Sequence, residues 1–231
     1  MLTFTITTST KLASMSLFQD DLLLGSIDVN VKKTHSVNIL NQVKSLFEWT
    51  GESIQNVKRV IISKGPGSFT GIRIAMSLIK GIFALEKDVE IFSVSELDAI
   101  FYPAKDLASI VVSGIDSRKG KIYYNIHENG VKIKDDTIGN IYTLVEELKN
   151  TKKSIVFAGD IAYNYREVIE TLDTVKISYH KLLVDSKVFY DMFKDNLAQK
   201  EDIASIHPYY LEQSQAERLS LIHIWRCRRR G

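Results

Sequence analysis

The chain has 231 residues, 45% hydrophobic and 25% charged, enough to bury a sizeable core in one large domain or two of about 100 residues. Its net charge of +2 comes from the last thirteen residues, LSLIHIWRCRRRG, whose Arg226, Arg228, Arg229 and Arg230 leave the body slightly acidic and without the general basic character of a nucleic-acid binder. No apolar run approaches the ~20 residues of a membrane helix, MLTFTITTSTK lacks the pattern of a secretory signal, and the single Cys227 cannot form an internal disulfide, which fits a reducing cytosol.

Leu2–Thr7 reads as a strand, and a polar turn at Thr8–Lys11 leads to a second over Leu12–Phe18. Gln19–Asp21 turn the chain into a third strand, Leu22–Val31. A helix is predicted from Thr34 to Trp49, where Ile39, Val43 and Leu46 recur with Leu40 and Phe47 at helical spacings. Strand Val57–Ser63, a glycine turn, a helix over Thr70–Leu85, a strand over Val89–Phe92 and a short helix from Ser95 follow. Pro103 ends that helix within the junction Phe101–Ala108. The same order then returns. Strands are predicted at Ile110–Ile115, Lys121–His127 and Val131–Asp135, a helix at Ile141–Lys149, a strand at Ser154–Ala158 and a helix from Ala162 to Leu172. The turns ITTSTK (Ile6–Lys11) and IDSRKG (Ile115–Gly120) fall at matching places. The expected fold is α/β, built from two ribonuclease-H-like modules at residues 1–105 and 106–218. Residues 219–231 form a separate tail, which reads either as a basic arm for RNA or as a translated sequencing-adapter read-through; the second reading is preferred and the tail is set aside.

The stretch SKGPGSFTGIRIA, Ser63 to Ala75, has the order strand, glycine turn, helix, in which backbone N–H groups can cradle an anion. Its spacing departs from both common phosphate templates. Five residues after Gly65 stands Thr70, and Gly71 is followed by Ile72 and Arg73 rather than Lys and Ser or Thr. Thr70 also holds the place of the third glycine in a dinucleotide fingerprint. An anion cradle stays open, but a tight turn capped by Ser68 or Thr70 is the simpler reading.

A duplicated ribonuclease-H-like module resembles the superfamily of sugar kinases, Hsp70 and actin, whose members bind ATP between the two halves. Within it, KGPGSFTGIRIAMSLIKGI resembles the signature of the TsaB (YeaZ) family. ITTSTKLASMSL stands where that family has its first hairpin, THSVNIL matches its His-containing helix start, and YYLEQSQAER is similar to its C-terminal ending. SVSELDAI and GIDSRKGKIYY also sit at similar segments, so the resemblance covers nearly all of residues 1–218. It implies a role in making threonylcarbamoyladenosine at position 37 of tRNA. It implies a cytoplasmic, non-catalytic scaffold for a homologous TsaD-like transferase, with a TsaE-like ATPase joining the pair and tRNA met indirectly. A homodimer is implied when the chain is alone. The motif Gly65, Pro66, Gly67, Ser68, Phe69, Thr70, Gly71 and Arg73 is implied to be a structural turn, with no cofactor and no membrane.

The residues themselves speak against phosphoryl transfer, which needs carboxylates to hold Mg²⁺ near the phosphates. Thr7 stands at the first hairpin, where many TsaB-like sequences keep Asp, and a hydroxyl has no charge to offset a cation. Asp116 holds the matching place in the second half, where capping its own turn is the simpler role. An ATP-binding kinase-like enzyme using the cleft between the modules is the alternative. His35, His127, His180, His207 and His223 form no metal-ligand spacing, and the resemblance makes His35 a helix-start residue. G-x-S-x-G is absent around Ser68.

The helix from Thr70 is apolar around much more of its circumference than packing on one sheet requires, outside the stripe Arg73, Ser77, Lys80, Ala84. Ile72, Met76, Ile79 and Phe83 are assigned to the sheet. Ile74, Leu78 and Leu85, with the small Gly81, are assigned to a partner, together with Ile39, Val43 and Leu46 of the preceding helix. Burial inside the chain's own fold is the competing reading.

Overall fold

The described residues of the computed structural model are 1–30, 39–177 and 183–212. The first half runs β1 (Leu2–Thr7), β2 (Leu12–Gln19), β3 (Leu22–Asn30), α1 (Ile39–Thr50), β4 (Val57–Ser63), α2 (Phe69–Phe83), β5 (Glu90–Val94) and α3 (Glu96–Phe101). The second continues with β6 (Ile110–Asp116), β7 (Lys121–Glu128), β8 (Val131–Asn140), α4 (Ile141–Leu148), β9 (Ile155–Ala158), α5 (Ile161–Asn164), α6 (Arg166–Ile169) and β10 (Val175–Ile177). The chain then adds α7 (Lys187–Lys194) and β11 (Gln199–Glu201). The first sheet has the order β11-β5-β4-β1-β2-β3 and the second β10-β9-β6-β7-β8.

Alternation along the strands builds the layers, because successive side chains of a strand face opposite ways. From β1, Leu2, Phe4 and Ile6 join α1 and α2 in an outer core, with Val60 and Ile62 of β4. On the other face Ile61 meets α3, α7 and the inward residues of the second sheet, Val111, Ile115, Val156 and Ala158. Ile110, Val112, Ile155 and Phe157 point away from that middle layer and pack under α4, α5 and α6. The molecule is thus helices, sheet, helices, sheet, helices, with α3 and α7 between the two sheets.

Several expected elements change. The strand expected at Val131–Asp135 runs to Asn140. The helix expected from Ala162 to Leu172 is two short helices broken at Tyr165, whose hydroxyl accepts from Gly120 N–H at 3.0 Å and donates to the Asp116 carboxylate at 2.8 Å. The predicted start at Thr34 and its neighbour His35 lie outside the described residues; α1 is described from Ile39.

The division at residues 105 and 106 separates the two sheets, but the last described residues of 106–218 return to the first one. β11 pairs antiparallel with β5, closing an edge that would otherwise leave ladder groups open. Ser186, just before α7, exchanges hydrogen bonds with Ser14 and Ser16 of β2, and Tyr190 stacks on Phe18 at 4.3 Å. Ile206 is buried in the outer core of the first sheet.

Candidate functional site at the glycine turn and helix α2

The glycine turn is held against the tip of the β1–β2 hairpin. Ser68 N–H donates to Ser9 C=O at 2.6 Å, and the Thr8 hydroxyl donates to Gly71 C=O at 2.6 Å. A Cβ on Gly67 would lie 2.2 Å from Ser9 O, and one on Gly71 would lie 1.9 Å from Thr8 O. No side chain fits either gap, so these glycines permit a backbone-to-backbone contact. Of the two capping candidates, Ser68 is the cap: its Oγ accepts from Gly71 N–H at 3.2 Å. Gly65 N–H is also spent, on Ser63 Oγ at 3.2 Å.

Behind the turn lies a carboxyl that sequence reasoning missed. Glu96, the first residue of α3, is fully buried, and Thr7 Oγ1 donates to its Oε2 at 2.9 Å. Burial raises its pKa to about 7 against the opposing pull of the Ser63, Thr7 and Ser9 hydroxyls. The hydroxyl of Thr7 is therefore turned inward to an acid rather than out to solvent. In the sequence Glu96 reads as an ordinary first-turn acid of a helix capped by Ser95; only the fold brings it beneath β1 and β4.

In the second half Asp116 caps its own turn, accepting from Arg118 N–H at 2.7 Å. It also accepts from Asn164 Nδ2 at 2.9 Å. Asp160 accepts from Asp116 N–H at 2.7 Å, and burial raises its pKa to about 6. A polar cluster ties α3 to the second sheet: Asn125 Nδ2 donates to Asp98 and Asp136, each at 2.9 Å, and Lys132 pairs with Asp98 at 2.6 Å. His127 beside it stacks on Phe101 at 3.6 Å, and burial lowers its pKa to about 4. Among the described residues no group of three or more His, Cys, Asp or Glu is placed to hold a metal ion. No described helix is long and apolar enough to cross a membrane.

Helix α2 divides as its pattern suggests on one side. Met76, Ile79 and Phe83 are buried in the outer core on the first sheet, and Ile72 is buried against the glycine turn at Gly65. Ile74 and Leu78 are half-buried on the flank, Gly81 is exposed with nothing within 4 Å of an added Cβ, and Leu85 lies beyond the helix end at 91% exposure. A groove of about 540 Å³ is lined by Phe69, Thr70, Arg73, Ile74, Ser77 and Leu78 with Ile39. The assignment of Val43 and Leu46 to a partner is corrected. They are 2% and 1% exposed, because α1 turns this stripe onto its own sheet. Ile39, at 5% exposure, belongs to that core and reaches only the groove's edge. What α1 presents outward includes Leu40 and Trp49.

Two sheets separated by buried helices and headed by matching hairpins define an actin-like α/β protein. The same architecture occurs in a Bacteroides thetaiotaomicron protein described as having an actin-like ATPase fold and unknown function, with a TM-score of 0.50 at 12% identity over 84% of this chain and 95% of that one. YeaZ from Pseudomonas aeruginosa superposes with a TM-score of 0.69 at 20% identity, covering 91% of this chain and 99% of that one. A family model described as TsaD, tRNA N6-adenosine threonylcarbamoyltransferase, matches residues 25–217. The tRNA threonylcarbamoyladenosine biosynthesis protein TsaB of Bacillus subtilis is 25% identical over 224 residues, 92% of this chain and 94% of that protein. The chain belongs to the TsaB (YeaZ) branch of this family, the proteins of threonylcarbamoyladenosine modification of tRNA.

Proposed function

We propose that the chain is a non-catalytic scaffold that binds and supports a TsaD-like transferase through α2, at the face carrying Ile74, Leu78 and Gly81, with Leu85 just past the helix end. A TsaE-like ATPase joins through the pair, tRNA is reached through the assembly, and the complex works in the cytoplasm. Alone, the chain uses the same face on a second copy of itself. The observation that carries this reading is the α2 groove, where Ile74 and Leu78 pack against the margin of the outer core yet stay only half-buried, beside Phe69 and Arg73. Its corollary is a first hairpin without nucleotide chemistry. Thr7 is bonded to Glu96, and the Gly65 and Ser68 amides are bonded within the fold.

Co-expression with the TsaD-like protein of the same genome, followed by size-exclusion chromatography, tests the reading. A co-eluting pair that Leu78→Asp separates is expected. Separate elution of the unmodified proteins contradicts it. Phosphate release with and without Mg²⁺ should stay at background for the isolated chain. Turnover lost on Asp116→Ala would instead favour the kinase-like alternative.

A further inference from the structure

The residues just before the described chain's end form a strap from the first sheet to the second. β11 starts it: Glu201 pairs with Lys64 at 2.7 Å and accepts from Ser93 Oγ at 2.6 Å. Lys80 of α2 then reaches Ala204 C=O at 3.2 Å, and Ile206 is buried in the outer core. Next the strap crosses the glycine turn. Tyr209 N–H donates to Lys64 C=O at 2.7 Å, and Tyr209 O would stand 2.9 Å from a Cβ on Gly65. The Tyr210 ring stacks on Phe69 at 4.6 Å, and its hydroxyl accepts from Arg73 Nε at 2.6 Å. The Arg73 guanidinium lies over the Phe69 ring at 3.8 Å and 5.5 Å from the Tyr210 ring, completing a three-member cluster at the start of α2. Two residues later Glu212 pairs with Lys121, the first residue of β7 in the second sheet.

Phe69 and Arg73 line the groove of α2, while Tyr210 and Glu212 do not. The groove's wall is therefore built on the chain's own C-terminal strap, and at Glu212, the last described residue, the strap is ion-paired to the other module. We infer that residues 206–212 are a latch that fixes the start of α2, and with it the docking face, relative to the second sheet. Groove occupancy and latch engagement then bias one another, since a ligand that moves Arg73 must also move Tyr210, and the coupling is reciprocal. The docking half of this inference rests on the reading under Proposed function; the latch half does not.

Charge reversal separates the two. Lys121→Glu places two carboxylates together at the far end of the strap, and Lys121→Glu with Glu212→Lys restores the pair in reverse. Hydrogen exchange of the Gly71 and Ile72 amides, both bonded to Ser68 in the first turn of α2, reads the latch directly. Exchange about fivefold faster in the single variant and normal in the double is expected, the scale of a part-exposed ion pair. Unchanged exchange overturns the latch, whether or not a partner binds. Affinity for the TsaD-like protein should fall about fivefold in the single variant and return in the double. Altered exchange with unaltered affinity overturns the coupling to docking. If Leu78→Asp also leaves the complex intact, the docking reading fails and the exchange result alone decides the latch.

Discussion

Replacing Glu96 by Gln removes an ionisable group from the centre of the molecule while leaving an oxygen to accept the Thr7 hydroxyl. The side chain keeps its size, so packing against β1 and β4 is preserved, and the change isolates the proton. Burial raises the Glu96 pKa from its ordinary 4.5 to about 7 in the folded chain. Below 4.5 the carboxyl is protonated in both states and costs nothing. As pH rises from 4.5 to about 7 the unfolded chain ionises first, so stability is lost across that window and then levels off. At about 1.4 kcal/mol per pH unit, the gap is worth on the order of 3 kcal/mol. Urea denaturation of both proteins at a series of pH values measures it. Asp160, His127 and the other titrating groups are shared, so their contributions cancel in the difference. The stability of Glu96→Gln minus that of the unmodified chain should grow with pH by on the order of 3 kcal/mol up to neutrality, then stay level. A difference independent of pH would show that Glu96 does not titrate abnormally, and a difference that shrinks with pH would show a carboxylate held charged by its hydroxyl neighbours.

The remaining expectations concern the turn and α2. Gly71→Ala should destabilise the chain by several kcal/mol, about the range of severe core clashes, because its Cβ would meet Thr8 O at 1.9 Å. Gly81→Ala, with open space around it, should raise stability by about 0.5–1 kcal/mol through helix propensity while weakening the complex; thermal melts and partner titration read both effects. Ile79→Asp places an unpaired carboxylate at a site 1% exposed and should unfold the isolated chain or cost several kcal/mol in denaturation. Thr7→Asp sets a second carboxyl beside buried Glu96 and should lower the melting temperature more at about pH 8 than at about pH 5, because adjacent carboxylates repel when both ionise.

Much of this architecture is legible in local pattern. Alternating Leu2–Thr7 and the strand Val57–Ser63, with its apolar run Val60, Ile61 and Ile62, match β1 and β4 at both ends, because half or wholly buried strands carry their burial in their period. The repeated hairpins around Ile6–Lys11 and Ile115–Gly120 place the two sheets before any contact is known. Elements stabilised by distant partners are not legible in this way. β11 has three polar residues, Gln199, Lys200 and Glu201, and owes its strand conformation to the open edge of β5. Tyr210 has no periodicity that would announce its stack on Phe69. On α1 the helical stripe Ile39, Val43, Leu46 was visible, but a helical wheel has no absolute direction, and the sheet took that face. On α2 the bulky residues Met76, Ile79 and Phe83 do meet the sheet's core, so the same reasoning succeeds for them, while Ile72 is buried against the glycine turn. Glu96 carries its meaning in its depth, which no first-turn acid reveals in sequence.

Docking of a TsaD-like subunit on α2 is tested most directly by Leu78→Asp. Leu78 is half-buried on the groove wall, one residue from the buried Ile79. Titration of the TsaD-like protein against folded Leu78→Asp, beside the unmodified chain, is the measurement. The expected result is a variant that still folds, with a lowered melting temperature because Leu78 also packs on the margin of the outer core, and with complex formation lost. Full-strength binding by the folded variant would contradict the assignment of this helix as the interface.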